Sequence, residues 1–151
     1  MLSPQVTLGN GAINAGISST RPAGYPGTGS YSLVVPILVN NTTTSVGSVG
    51  IQFCQAGKTT SLGGYSISGY VYFSGSALPA YHAFFVDTWG PTASEASNSM
   101  MYFNTLVTNQ WIPFTASLSF GFQYDHLALR LSPNGSWSGT MYLDQVAVTG
   151  L

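Results

Sequence analysis

The sequence predicts an all-β domain: a β-sandwich of jelly-roll type, with antiparallel strands in two sheets. Three observations carry this. Val, Tyr and Phe are plentiful while Glu, Lys and Arg are scarce, and no window sustains the i, i+3, i+4 apolar spacing of a helix. Apolar and polar residues alternate in several short runs, as strands buried on one face require. Gly, Pro, Asn and Ser punctuate those runs at close spacing, the pattern of a sandwich or barrel. At 151 residues the chain has the size of one domain with its own core, and it shows no internal repeat or long linker.

The elements follow in order. A short first strand is expected near Gln5-Val6-Thr7-Leu8. Residues 9–30 are rich in Gly, Ala, Pro and Ser, which suggests a long irregular loop ending in the turn Pro26-Gly27-Thr28-Gly29. Ser30 to Val39 is a strand, and Pro36 within it favours an edge or a bulge. After a polar turn at Asn40 to Ser45, Val46 to Cys54 alternate. Val49, Ile51 and Phe53 share one face, and Ser48, Gly50 and Gln52 the other. In the longer strand Tyr65 to Phe73, Tyr65, Ile67, Val71 and Phe73 share one face. Ser66, Ser68, Tyr70 and Tyr72 share the opposite one. A strand at Tyr81 to Thr88, a loop at Trp89 to Ser97, and strands at Ser99 to Phe103 and Trp111 to Phe120 come next. His126-Leu127-Ala128-Leu129-Arg130-Leu131 alternates strictly, turns at Ser132-Pro133-Asn134-Gly135-Ser136, and leads into a last strand from Trp137 to Gly150. The count is about nine strands.

Charge excludes some partners. The basic residues are Arg21, Lys58 and Arg130, the acids Asp87, Glu95, Asp125 and Asp144, and the formal net charge is −1. A phosphate backbone needs clustered Lys and Arg, and an anionic lipid surface needs a polybasic patch; neither is present. Cys54 is the only cysteine, so no intrachain disulfide forms, and it reads as a small buried hydrophobe. No apolar run approaches transmembrane length, and Met1-Leu2-Ser3-Pro4 is not a signal peptide. The abrupt start suggests a module cut from a larger secreted protein.

Four segments, in order, resemble the β-jelly-roll carbohydrate-binding modules of the cellulose- and xylan-binding type found on secreted glycoside hydrolases. These are Thr28-Gly29-Ser30-Tyr31-Ser32-Leu33, Gly64-Tyr65-Ser66-Ile67-Ser68-Gly69-Tyr70-Val71, Trp111-Ile112-Pro113-Phe114, and the closing Tyr142-Leu143-Asp144-Gln145-Val146. The resemblance implies non-catalytic capture of β-glucan, cellulose or xylan chains. It also implies a monomeric module, a covalently linked catalytic domain and an extracellular location. It further implies a structural calcium ligated by Asp144 and oxygens of the N-terminal region. The sequence departs from the family there: no early Glu is present, and the N-terminal region offers only Asn10, Asn14, Ser and backbone carbonyls. The alternative is that Asp144 caps a turn or accepts backbone hydrogen bonds.

A pyranose offers apolar C–H faces and equatorial hydroxyls. A site for it combines aromatic planes with amide, carboxylate or guanidinium groups. Tyr70, Tyr72, Gln52, His126 and Arg130 all oppose the apolar faces of their strands and are expected to form one groove. Trp89, at a strand exit, is a candidate stacking platform, with Tyr25, Tyr81, His82 and Asp87 as weaker candidates. The competing reading for the tyrosines is a cross-strand ladder or packing under a loop. Trp111 and Trp137 read as core. Catalysis is disfavoured: glycoside hydrolysis needs two positioned carboxyls, and only Asp87, Asp125 and Glu95 remain, with no motif joining them. There is no G-x-S-x-G elbow, zinc spacing or phosphate loop. The alternative function is a structural or adhesive β-sandwich of a surface protein.

Overall fold

A computed structural model describes residues 3–7, 16–19, 21–29, 32–39, 49–54, 65–89, 96–118 and 126–150. Among these the strands are β1 (Ser3–Thr7), β2 (Gly16–Ser18), β3 (Ser32–Val39), β4 (Val49–Cys54) and β5 (Tyr65–Gly75). They continue with β6 (His82–Trp89), β7 (Ala96–Phe103), β8 (Trp111–Leu118), β9 (His126–Pro133) and β10 (Trp137–Gly150). Two five-stranded antiparallel sheets result, ordered β1-β4-β9-β6-β7 and β2-β3-β10-β5-β8. The expected all-β sandwich is the architecture of the molecule.

Period-two alternation decides which residues enter the space between the sheets. From the second sheet come Ile67, Val71 and Phe73 of β5, Phe114 of β8, and Met141 and Leu143 of β10; from the first come Phe84, Val86, Leu129 and Leu131. The sheets are locked by aromatic edges. Phe84 of β6 meets Phe73 with ring centroids 6.0 Å apart and Phe114 at 5.6 Å, both near perpendicular. Trp137 is buried in the same core, its indole N–H donating to the Ser76 carbonyl. Gly69 sits mid-strand in β5 because a side chain has no room: a Cβ there would lie 2.9 Å from the Phe114 ring and 3.1 Å from the Asp144 carbonyl.

Several expectations are refined. The loop expected at residues 9–30 contains β2, paired to β3 through Gly16, Ile17 and Ser18. Pro36 lies in β3, one strand in from the edge, yet β2 pairs only with Ser32 to Val34. Beyond that point Pro36 faces no strand on the β2 side among the described residues, so its missing N–H costs no ladder bond there. β7 begins at Ala96, inside the expected loop. In β10 the register with β5 shifts between Asp144 and Ala147, and Gln145 takes a left-handed φ of 48°. This β-bulge turns the end of the strand and sets Asp144 at a special place on the outer surface.

Candidate functional site

Each sheet has an outer face, and the two faces are built differently. On the β3-β10-β5-β8 face, register places Tyr142, Tyr72 and Trp111 in one cross-strand row, and Asp144, Tyr70 and Pro113 in the next. Tyr72 packs between Trp111, at 5.3 Å between ring centroids, and Tyr142, at 5.9 Å. Residues 21–29 then lie across this ladder. Tyr25 sets its ring edge-on against Trp111 at 4.8 Å and Tyr70 at 5.6 Å. The Trp111 indole N–H donates to the Pro22 carbonyl at 3.2 Å. Gly27 permits the approach, because a Cβ there would lie 2.6 Å from the Tyr25 ring and 2.7 Å from the Gln145 amide.

Asp144 is the polar centre of this face. One carboxylate oxygen accepts from the Ser32 hydroxyl at 2.9 Å and faces Arg21 Nε at 3.5 Å; the other accepts from the Gln145 backbone N–H at 2.8 Å. The last bond satisfies an amide that the bulge takes out of the ladder. Both side chains of the Arg21–Asp144 pair are largely sheltered, at 11% and 12% exposure. The Arg21 guanidinium lies 4.0 Å over the Tyr25 ring and donates to the Gly29 carbonyl. Burial first, and the nearby Asp144 carboxylate second, push the Tyr25 phenol up to about 12, with Arg21 opposing. The phenol feels that carboxylate without making a hydrogen bond of normal geometry.

These contacts test the calcium that the resemblance implies. A calcium ion needs about six to eight oxygens facing it. The groups around Asp144 are an O–H, an N–H and a guanidinium, all aiming hydrogen or positive charge at the carboxylate. The described residues around Asp144 do not fit a calcium; Asn10 and Asn14, the other expected ligands, lie outside the described residues. Among the described residues no group of three or more His, Cys, Asp or Glu gathers as a metal site. Asp144 does accept a backbone hydrogen bond, the other role expected for it.

On the outer face of the other sheet, β9 is flanked by β4 and β6. Register sets Arg130 opposite Phe85 and Gly50, Ala128 opposite Asp87 and Gln52, and His126 opposite Trp89 and Cys54. All of these positions have the parity opposite to the buried Val86, Leu129 and Leu131. Arg130 and Phe85 are half-buried, with the guanidinium 4.8 Å over the Phe85 ring. A cation stacked on a ring, beside rows that carry an amide, a carboxyl, an imidazole and an indole, has the composition a sugar site requires.

No protein-family model matches this sequence, and no curated protein matches it. Its likeness is to solved structures. One is a carbohydrate-binding module of the β-sandwich superfamily with promiscuous specificity. It has TM-score 0.68 at 13% identity, covering 98% of this chain and 56% of the other. The CBM22-1 xylan-binding domain of Xyn10C from Paenibacillus barcinonensis has TM-score 0.64 at 16% identity, covering 97% and 85%. The CBM22-1 and GH10 modules of the Clostridium thermocellum xylanase Xyn10B, complexed with xylohexaose, have TM-score 0.56 at 14% identity, covering 91% and 25%. The chain thus spans 56% of the first of these proteins.

The fold is that of the β-sandwich carbohydrate-binding modules. Within this β-sandwich the groove expected from five residues does not form as one. Tyr70 and Tyr72 belong to β5 in one sheet, and Gln52, His126 and Arg130 to β4 and β9 in the other. Single-strand alternation identifies outward positions but not which sheet a strand joins. Trp89 falls on the sheet of Arg130, at the register position of His126. Trp137 is core as expected. Trp111 is structural, yet it sits in the outer aromatic layer and not between the sheets. His82 is buried, its ring nitrogen Nδ1 paired with the Pro79 carbonyl at 2.8 Å, so it does not join the face. Tyr81 is exposed at 60%, on the loop leading into β6. Two contributors went unrecognised in sequence: Phe85, the ring under Arg130, and Arg21, the partner of Asp144. The scarcity of cations was the signal for Arg21, since a chain with three basic residues rarely wastes one.

Proposed function

We propose that this chain is a non-catalytic carbohydrate-binding module. It captures chains of a β-linked polysaccharide of the xylan or glucan type on the outer face of the β1-β4-β9-β6-β7 sheet. The observation that carries the reading is the stack of Arg130 on Phe85, in register with rows bearing Gln52, Asp87, Trp89 and His126 on a fold shared with xylan-binding domains. Phe85 and Trp89 supply apolar planes for pyranose C–H faces. Arg130, Gln52, His126 and Asp87 supply hydrogen bonds to hydroxyls. Low net charge suits a neutral polymer. A non-catalytic role agrees with the commitment of Asp144 to Arg21, Ser32 and Gln145, which removes one of four acids from any acid–base pair.

Xylan and glucan chains lie outside cells, so the module acts there, tethering an attached glycoside hydrolase to its substrate. A neighbour in which such a domain accompanies a GH10 module supports that arrangement. Affinity electrophoresis tests the reading. Soluble xylan in the gel is expected to retard the folded protein, with β-glucan next and mannan least. Unchanged migration in xylan, β-glucan and mannan alike would overturn it.

A further inference from the structure

We infer that Arg21 is the built-in cation of this sandwich, standing where a hard metal ion would otherwise tie the N-terminal segment to the closing strand. The oxygens it gathers are of the two kinds a hard cation takes: the Asp144 carboxylate from β10 and the Gly29 backbone carbonyl from the 21–29 segment. The guanidinium does three things at once. It pairs with the carboxylate, donates to the carbonyl and stacks on Tyr25 at 4.0 Å. A planar fork of N–H donors with an aromatic-compatible face can do this; a lysine ammonium cannot do all three in one geometry.

The clasp has a reach beyond its own atoms. Ser32 and the Gln145 amide complete the shell of Asp144, fixing β3 and the β10 bulge to the same carboxylate. Tyr25, held by Arg21, carries the segment onto Tyr70 and Trp111. The aromatic face is therefore sealed by an internal ion pair, and the fold holds without a metal at Asp144. Breaking the pair leaves a sheltered charge with no counter-charge, which is more harmful than losing both members.

The test is thermal unfolding in the absence of sugar, so that it stands apart from any outcome of the binding experiments. The melting temperature of the unaltered protein is expected to stay within about 1 °C in excess chelator or in millimolar calcium. Arg21→Gln and Asp144→Asn are each expected to lower it by roughly 5–10 °C. The double variant is expected to be no worse than the poorer single one, because the two act as one unit. In Arg21→Gln, tryptophan emission moves to longer wavelength as Trp111 is uncovered. A rise of several degrees with calcium, or a fall with chelator, overturns the inference on the unaltered protein alone, whether or not the variants fold. Additive losses in the double variant overturn it as well.

Discussion

The two outer faces of this sandwich use similar residue types to opposite ends. On the β10-β5-β8 face, Tyr25, Tyr70, Tyr72, Tyr142 and Trp111 stack on one another, and the local cation and anion neutralise each other. That face packs upon itself. On the β4-β9-β6 face the cation stacks on the half-buried Phe85 ring, and the amide, imidazole and indole positions lie along neighbouring rows. An aromatic-rich surface is thus not in itself a sugar platform: the rings of the β10-β5-β8 face are stacked on one another and covered by residues 21–29.

The comparison can be broken at its hinge or sharpened at either face. The largest effect is expected from Phe84→Ala, which removes the ring joining Phe73 and Phe114 across the sheets. A loss of about 3–5 kcal/mol in urea unfolding should follow, with both faces lost together. Tyr72→Ala removes the middle of the ladder and should cost about 1–3 kcal/mol of stability while leaving xylan retardation unchanged. Arg130→Ala should do the reverse. The protein is expected to stay folded while affinity for the glycan falls at least about tenfold.

The smallest effect is a pH dependence confined to the sealed face. The Tyr25 phenol is pushed up to about 12, above its ordinary value of 10.0. Between those values the unfolded chain binds fewer protons than the folded one, so stability falls as pH rises. The contribution is complete below pH 10 and lost as the folded phenol ionises near 12. Tyr25→Phe should flatten the alkaline limb of the unfolding curve relative to the unaltered protein. An unchanged slope would mean that Tyr25 is not sheltered beside Asp144.

Much of the fold was legible because a single strand carries its own evidence. Ile67, Val71 and Phe73 alternate with Ser68, Tyr70 and Tyr72, and the structure buries the first set and turns out the second. The candidate site was legible only by halves. Outwardness is a local property of a strand, whereas sheet membership depends on which distant strands pair. Tyr70 and Arg130 therefore looked like neighbours in sequence terms and lie on opposite sides of the molecule. The Asp144 contacts were hidden for the same reason. A carboxylate in the closing strand announces an electrostatic partner, but not that Arg21 faces it. The β2 strand, three residues of Gly-Ile-Ser inside a Gly- and Ser-rich stretch, has no alternation long enough to detect.

The most direct measurement places Tyr72→Ala and Arg130→Ala side by side with the unaltered protein in affinity gels containing soluble xylan, after each is shown to be folded. The expected result is full retardation of Tyr72→Ala and little or none of Arg130→Ala. Retardation lost in Tyr72→Ala and kept in Arg130→Ala would place the sugar on the aromatic face and contradict the assignment of the two surfaces.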